Sequence, residues 1–259
     1  MLQTEIKDGV ATIRMNRPGV HNAFDDALIA ALSAELRRLE QLPEARVIVL
    51  AANGKSFSAG ADLKWMRRMA TYSREENLRD AMALADLMRT LDGVKKPTIA
   101  RVQGAAFGGG VGLVACCDIA IASADAVFSL SEIRLGLIPS VISPYVIAAI
   151  GEREARRYFL TAERFDAEEA RRIGLVHDVV DGAALDEAVA KIAGHLLKGG
   201  PQALAAAKKL IADVSRRSMN DALSADTAQR IAAIRVESEG REGVAAFLEK
   251  RPPTWTKKS

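Results

Sequence analysis

The sequence contains few of the residues from which disulfide frameworks and metal centres are built. It has two cysteines, Cys116 and Cys117, which are adjacent in an apolar run. Neighbouring cysteines do not easily reach the geometry of an ordinary disulfide, so we predict two buried free thiols. The three histidines, His21, His177 and His195, lie near no other metal-ligand residue at a recognised spacing. We therefore predict no metal site.

Charge of one sign and long apolar runs are missing as well. The chain has 36 basic and 33 acidic residues, a net charge of +3, and so small an excess predicts no strong field for nucleic acid. It is compatible with a small anion such as a nucleotide-bearing cofactor. The apolar stretches are too short to span a bilayer, and the N-terminus lacks an apolar signal core. These absences predict a cytoplasmic location, with no membrane partner and no nucleic-acid partner.

What the sequence does contain is an alternation of strand and helix signals in its first half. Asp8-Gly9 predicts a hairpin turn within residues 2–15. Leucines at helical spacing predict a helix from Asp25, as its N-cap, to Gln41. This alternation predicts α/β layering. Four short apolar runs predict strands, namely residues 47–51, 98–102, 119–122 and 127–130.

Between these runs lie segments that predict loops. Residues 52–64 are rich in glycine, alanine and serine and predict a loop. The glycine-rich run 104–112 predicts a second loop, leading into an apolar helix that ends near Cys117. From about Ser143 the pattern is helical, and strand signals are gone except near residues 175–180.

The last third of the chain predicts a separate packing unit. Residues 184–250 are nearly all helical in pattern, with a Gly-Gly-Pro break at 199–201. The helices carry faces rich in alanine and leucine, which suits burial against a neighbouring subunit. We predict a core over residues 1–195 and a C-terminal helical oligomerisation region over 196–259.

Two glycine-rich segments are candidates for chemistry. Residues 56–63 and residues 104–112 each follow a strand and precede a helix, and such junctions point free N–H groups at a ligand. Two junctions on neighbouring strands can aim two donors at one oxygen, which forms an oxyanion hole. The alternative is that the glycines only allow tight helix–strand packing. Neither segment has the pattern of a P-loop or of a dinucleotide fingerprint.

Three carboxylates near strand ends are further candidates. Glu132 lies between apolar neighbours, where a raised pKa suits an acid or a base. A solvated or ion-paired surface residue is the competing interpretation. Asp62 lies in the first glycine-rich segment, and we expect Asp118 to accept hydrogen bonds from backbone N–H groups.

Taken together, these segments resemble the enoyl-CoA hydratase/isomerase (crotonase) family over essentially the whole chain. The resemblance implies a crotonase-like ββα spiral with C-terminal helices that build homotrimers, two of which usually stack into a homohexamer. The motifs that carry it are Asn16-Arg17-Pro18, Asn22-Ala23, Gly60-Ala61-Asp62, residues 104–110, Cys117-Asp118-Ile119-Ala120, Ser131-Glu132-Ile133 and Gly136-Leu137-Ile138-Pro139.

The resemblance also implies roles for particular residues. Ala61 and Gly109 match the oxyanion-hole donors, and Glu132 matches the glutamate that transfers a proton at Cα of the substrate. A second glutamate, which activates water, is expected at the position that Gly112 occupies. Either Glu132 alone serves the hydration of an enoyl-CoA, or the enzyme is a Δ3-Δ2-enoyl-CoA isomerase with a single base. A third alternative is that Ser140, Ser143 or Glu163 replaces the missing group.

The substrate is implied at a finer level by a bacterial subgroup that this chain resembles. That subgroup acts on methylglutaconyl-CoA in leucine breakdown or on a longer glutaconyl-CoA. Arg67 or Arg68 is a candidate partner for the distal carboxylate of such a substrate. No prosthetic group is expected, and coenzyme A enters as part of the substrate. Four residues are predicted to contact coenzyme A, the last two across a subunit boundary, namely Ala59, Lys64, Phe247 and Lys250.

A non-catalytic, RNA-binding role is a further alternative, because a mammalian relative of the family is described as binding AU-rich RNA. The small net charge and the lack of an RNA-binding motif give it little support.

Overall fold

The structure is a computed structural model that describes residues 1–256. Within those residues, ten strands form a six-stranded sheet and a four-stranded sheet. The strands are β1 (Leu2–Lys7), β2 (Val10–Met15), β3 (Val47–Ala52), β4 (Ser56–Ser58), β5 (Thr98–Val102), β6 (Ala105–Phe107), β7 (Ile119–Ser123), β8 (Val127–Ser129), β9 (Phe165–Asp166) and β10 (Asp178–Val180). The α-helices are α1 (Asp26–Gln41), α2 (Leu63–Met69), α3 (Arg74–Gly93), α4 (Gly109–Cys116), α5 (Ser143–Thr161), α6 (Ala167–Arg172), α7 (Leu185–Leu196), α8 (Pro201–Val214), α9 (Asp221–Val236) and α10 (Ser238–Leu248).

The six-stranded sheet has the order β1-β2-β3-β5-β7-β10. β1 and β2 are antiparallel, and the turn between them has positive φ at Asp8 and Gly9, which confirms the predicted hairpin. The other neighbouring pairs are parallel. Every residue of β3 is buried, as expected of a strand that is covered on both faces.

The four-stranded sheet has the order β4-β6-β8-β9, and it corrects three expectations. β4 lies within the segment 52–64 that was predicted as a loop, and β6 lies within the glycine-rich run. β9 lies in the region after Ser143 for which the sequence pattern predicts helices and no strand before residue 175. These strands have only two or three residues each. So short a strand carries no periodicity, and it exists because its neighbours supply the hydrogen-bond partners.

The helices cover the sheets and complete two apolar clusters, a large one and a smaller one between the six-stranded sheet and α7. Asp25 accepts a hydrogen bond from the N–H of Leu28, so the predicted N-cap of α1 is confirmed. Cys116 and Cys117 are buried free thiols, as predicted, and burial raises the pKa of Cys117 to about 12. Asp118 accepts a hydrogen bond of 2.8 Å from the N–H of Thr98, which confirms its structural role.

Polar contacts join the C-terminal helices to one another and to the core. Within residues 1–256, α8 and α9 have no buried residue. Glu239 at the start of α10 accepts hydrogen bonds from the N–H groups of Gln202 and Ala203 at the start of α8. Arg46 of the core donates to the carbonyls of Gly199 and Trp255.

The fold class predicted from the sequence, α/β with a C-terminal helical region, is confirmed. The division into 1–195 and 196–259 stays a prediction; α7 ends at Leu196 and packs on the six-stranded sheet, and residues 257–259 lie outside the described part. Over the described residues, each helix is too short or too polar to serve as a membrane span.

Candidate active site

Three of the predicted residues follow three neighbouring strands of the four-stranded sheet. β4 leads to Ala61, β6 leads to Gly109, and β8 leads to Glu132. β4 pairs in parallel with β6, and β6 pairs in parallel with β8. Because the carboxyl ends of parallel strands meet at the same edge of a sheet, the three residues lie at one edge.

Ala61 is held beside Phe24 by a parallel bridge. The N–H of Phe24 donates to the carbonyl of Gly60, and the N–H of Asp62 donates to the carbonyl of Phe24, both at 2.7 Å. The bridge is thus formed by the carbonyl of Gly60 and the N–H of Asp62, the two residues that flank Ala61. The N–H of Ala61 itself is therefore directed away from Phe24, where it can donate to a ligand.

Asp62 fixes the helix that follows. Its carboxylate accepts hydrogen bonds from the N–H groups of Lys64 and Trp65 at the start of α2, and Arg17 forms an ion pair with it at 3.2 Å. Burial alone would raise the pKa of Asp62, but these hydrogen bonds and Arg17 lower it overall. Asp62 is therefore a charged N-cap rather than a proton donor.

Gly109 is the first residue of α4, so its N–H has no acceptor within the helix. The preceding Gly108 has a φ of +50°, a conformation that favours glycine, and its N–H donates to the carbonyl of Ser129. A Cβ at position 109 would lie 3.1 Å from the ring of Phe24. Phe24 thus contacts both donor segments, with its backbone against one and its ring against the other.

The two donor segments also approach each other directly. A Cβ added at Gly60, where φ is +91°, would lie 3.6 Å from the carbonyl oxygen of Phe107. Gly60, directly before Ala61, therefore lies close to Phe107, two residues before Gly109, with room for little more than a methyl group between them. Two N–H groups on segments this close can serve one oxygen atom.

Glu132 brings a carboxyl group to the same place. It begins a short 3-10 turn, Glu132–Leu135, directly after β8. A Cβ at Gly108 would lie 3.0 Å from Glu132 Oε1. Its other oxygen, Oε2, is buried and has no hydrogen-bond partner among residues 1–256. Burial raises the pKa of Glu132, because desolvation disfavours the charged form.

The position expected for a second carboxylate is filled by another residue. A Cβ at Gly112 would lie 2.3 Å from Ile142 Cγ2 and 3.3 Å from Met88 Cε. Ile142 is 3% exposed, so its side chain is fixed in this place. A longer side chain at position 112 does not fit unless Ile142 moves.

The three other residues considered for the missing group are placed as follows. Ser143, the half-buried first residue of α5, donates to the carbonyl of Ser140, which is exposed just before that helix. Glu163 forms an ion pair with Arg157, which lowers the pKa of Glu163. An ionised and already paired carboxylate is a poor proton donor near neutral pH.

The predicted contacts to coenzyme A fall into two groups. Ala59 and Lys64 lie beside the first donor segment, with Ala59 N–H donating to the carbonyl of His21 and Lys64 exposed on α2. Phe247 and Lys250 lie at the end of α10, where Phe247 is 82% exposed. α10 packs mainly against α8 and α9, so the two groups are on different parts of the chain.

Of the two arginines considered for a distal carboxylate, one is already engaged. Arg68 forms an ion pair of 2.8 Å with Asp26. Arg67 is exposed on α2. In the described part of the chain, no group of three or more His, Cys, Asp or Glu side chains is arranged to hold a metal ion.

The sequence interpretation missed two residues that shape this site. Phe24 follows the motif Asn22-Ala23, so a signal for it was present. Ile142 had a weaker signal, because a glycine in place of an expected glutamate says nothing about what occupies the space. The site brings together the N–H groups of Ala61 and Gly109 and the buried carboxyl group of Glu132. This combination suits acid–base chemistry next to a carbonyl group.

Comparison with known proteins gives a consistent result. The model of a family described as enoyl-CoA hydratase/isomerase matches residues 5–258. The crystal structure of an enoyl-CoA hydratase from Shewanella pealeana ATCC 700345 is similar with a TM-score of 0.96 and 48% identity, over 98% of this chain and 95% of that chain.

Two further relatives have names that specify a substrate. The 2,3-dehydroadipyl-CoA hydratase of Escherichia coli (strain K12) is 34% identical over 248 residues, which cover 94% of each chain. The crotonyl-CoA hydratase of Syntrophomonas wolfei is 31% identical over 257 residues, which cover 98% of this chain and 97% of the relative.

Proposed function

The chain belongs to the enoyl-CoA hydratase/isomerase (crotonase) family, and from this membership we propose that it adds water to an α,β-unsaturated acyl-CoA. The resemblance read from its motifs is thereby confirmed, and enzymes of this family act on CoA thioesters. In the proposed complex the thioester carbonyl oxygen accepts hydrogen bonds from the N–H groups of Ala61 and Gly109.

These two donors would act mainly in the transition state. Addition of water at Cβ moves negative charge onto the thioester oxygen as an enolate forms. Donors that are already in place stabilise this charge more than they stabilise the neutral carbonyl, and one such donor is typically worth about 3–4 kcal/mol. Gly109 is the first residue of α4, so the positive end of that helix dipole would add to the effect.

The observation that carries the proposal is the state of Glu132. Its carboxyl group lies against Gly108, one oxygen is buried without a partner among residues 1–256, and its pKa is raised. In the proposed reaction Glu132 accepts a proton from the attacking water and then delivers a proton to Cα. A carboxyl whose pKa approaches the working pH suits both steps.

A Δ3-Δ2-enoyl-CoA isomerase is the second candidate, and the Gly112–Ile142 contact favours it. Isomerisation moves one proton along an allylic system and needs a single base, which Glu132 supplies. With Ile142 in the space next to Gly112, no second carboxylate is provided from that position to activate water.

For the substrate we propose methylglutaconyl-CoA or a related branched enoyl-CoA, an intermediate of leucine breakdown, in the cytoplasm. Arg67 is the proposed partner of the distal carboxylate, because Arg68 is paired with Asp26. The name of one relative offers support, since 2,3-dehydroadipyl-CoA also carries a distal carboxylate.

The test is a panel assay of purified protein with crotonyl-, methylglutaconyl- and 3-hexenoyl-CoA, followed by absorbance of the conjugated thioester. Hydration of the first two supports the main proposal. Conversion of 3-hexenoyl-CoA alone would replace it with the isomerase. For the distal carboxylate, Arg67→Ala should raise KM for methylglutaconyl-CoA and leave KM for crotonyl-CoA unchanged, with Arg68→Ala as the matched control. An unchanged KM in Arg67→Ala rejects this role for Arg67.

For the assembly we propose a homotrimer, or a homohexamer made of two trimers, built by residues 196–259. Apolar side chains exposed on α8, α9 and α10 support this, among them Ile211, Ile231, Val244, Phe247 and Leu248. Phe247 and Lys250 would then reach the coenzyme A of a neighbouring subunit, where Lys64 and Lys250 pair with phosphates. Sedimentation that detects only monomers at micromolar concentration would reject the proposal.

A further inference from the structure

Gly112 is needed for a close approach rather than for an unusual backbone conformation. Its φ is not in the left-handed region, but a Cβ there would lie 2.3 Å from Ile142 Cγ2 and 2.9 Å from Ile142 Cβ. No L side chain tolerates such distances. Position 112 is therefore a seat for the side chain of Ile142.

Ile142 belongs to the same segment as Glu132, and with Pro139 and Val141 it attaches that segment to the core. Within residues 132–142, Pro139 and Ile142 are buried, whereas Leu137 and Ile138 are 52% and 72% exposed. The 3-10 turn is closed locally by the N–H of Leu137, which donates to the carbonyl of Glu132. Such a segment depends on its buried residues for its position.

The seat lies on the helix that also provides one of the proposed donors. The N–H of Gly112 donates to the carbonyl of Gly108 at 3.2 Å, so the seat is one helical turn, about 5.4 Å, from Gly108. Glu132 Oε1 lies against Gly108 itself. The segment therefore meets α4 at two points, one through Ile142 and one through Glu132.

We propose that Ile142, seated against Gly112, is a positioning residue that holds the carboxyl group of Glu132 against the N-terminus of α4. The inference rests on the proposed function in one respect, namely that Glu132 transfers the proton. It also explains the glycine at position 112. The space that a second glutamate would occupy there is taken by the side chain of Ile142, which positions Glu132.

The pKa of Glu132 reports whether its carboxyl group stays buried. Its pKa is raised by burial, and no charged side chain of residues 1–256 contributes to the shift. The charged side chain nearest to it in sequence, Arg134, is exposed on the same turn. If the segment loosens, water reaches the carboxyl group and its pKa falls toward the ordinary value of a glutamate.

The experiment follows the pKa of Glu132 by NMR of protein labelled with ¹³C at the glutamate carboxyl carbon, with the signal assigned by its loss in Glu132→Gln. Gly112→Ala should displace the side chain of Ile142, and Ile142→Ala should remove most of that side chain. Both changes should lower the pKa of Glu132. Ile142→Val keeps the methyl group that contacts Gly112 and should keep the wild-type value. Gly194→Ala on α7, where a Cβ meets nothing within 4 Å, is the control for a helical glycine-to-alanine change.

Activity provides a second readout. Both disruptive variants should lower kcat by about tenfold or more and change KM little, because a misplacement of about 1 Å can cost 10²-fold in rate. If Gly112→Ala does not fold, Ile142→Ala carries the test. An unchanged Glu132 pKa in folded Ile142→Ala overturns the inference. If Glu132→Gln instead keeps full activity, the proposed function fails, and the NMR result still decides whether Ile142 positions the carboxyl group.

Discussion

Glu132 and Asp118 are two carboxylic acids near strand ends, and their surroundings differ in almost every respect. Asp118 Oδ2 accepts hydrogen bonds from the N–H and the hydroxyl of Thr98 and from Lys208 Nζ, at 2.8–2.9 Å. Glu132 has an oxygen that is buried and unpartnered among residues 1–256. Asp118 therefore links β5, the start of β7 and α8. Glu132 lies at the edge of the four-stranded sheet with one oxygen unpartnered.

The difference teaches how to separate a structural acid from a chemical one in this fold. A buried polar group normally has its hydrogen bonds made, and an exception calls for an explanation such as a catalytic role. Thr98 fits the rule, because it is fully buried and both its N–H and its hydroxyl are bonded to the more exposed Asp118, and Glu132 is the exception. The comparison predicts that changes at Glu132 affect rate, whereas changes at Asp118 affect stability.

The largest expected effect is on rate. Glu132→Gln keeps the shape and removes the titrating group, so hydration should fall at least about 100-fold, in line with general acid–base contributions of 10²–10⁴. The measurement is kcat/KM with crotonyl-CoA, with circular dichroism to confirm folding. Asp118→Asn is the matched control and should retain activity per folded molecule. Near-wild-type activity of Glu132→Gln would remove the distinction between the two acids.

The next effect concerns the backbone donor beside Glu132. Gly109→Pro removes the N–H while keeping a residue that suits the first position of a helix. The loss of one oxyanion donor should lower kcat by about 10²–10³-fold. Gly109→Ala is the control, because it places a Cβ against Phe24 in the same way but keeps the N–H. Equal losses in the two variants would mean that steric contact, and not the donor, is responsible.

The third effect is on stability and concerns the other acid. Asp118→Ala leaves the N–H of Thr98 and the ammonium of Lys208 without their acceptor, which should lower the free energy of unfolding by about 2–3 kcal/mol. Urea denaturation measures it. Asp86→Ala breaks partly exposed ion pairs with Arg37 and Arg89, and should cost less than about 1 kcal/mol. Asp118 and Asp86 are about equally exposed, at 29% and 33%, so equal costs would show that the bonds to the buried Thr98 add nothing beyond an ion pair.

The smallest effect is a gain in stability from losing Glu132. A raised pKa in the folded state means that, above the ordinary pKa of a glutamate, folding is opposed by the cost of burying the charge. Glu132→Gln should therefore raise Tm at neutral pH, where each 1 kcal/mol gained corresponds to about 2–4 °C in a chain of this size. The gain should vanish as the pH falls below the ordinary value of 4.5, where the carboxyl is protonated in both states. A gain that is independent of pH would have another origin.

Local patterns predicted the elements that are long or continuously apolar. β3 is continuously apolar and α1 is long, and both were predicted. The junctions at Ala61 and Gly109 were identified differently, by their glycines between a strand signal and a helix signal. The approach of the two junctions could not be derived in this way, because it depends on the pairing of β4 with β6 and on Phe24 between them. The roles of Ala61, Gly109 and Glu132 were implied by the family resemblance, and the geometry is consistent with them.

The burial of Glu132 and the filling of the space at Gly112 were beyond the sequence for a related reason. The residues next to Glu132 or Gly112 in the sequence do not show which side chains contact them in the folded chain. Ile142 is 30 residues from Gly112 along the chain, and only the fold brings the two together. What the sequence did indicate was the departure itself, a glycine where a glutamate was expected.

The polar attachment of the C-terminal helices has a consequence for how the molecule opens. In the described part of the single chain, α8 and α9 bury none of their residues, and the junction at Gly200 depends on Glu239 and Arg46. We expect backbone amides of this region to exchange with deuterium long before those of β3 or β5 in dilute protein. If further copies cover these helices, mass action will slow that exchange as protein concentration rises. The same helices would then be loose in a newly made chain and rigid in the working assembly.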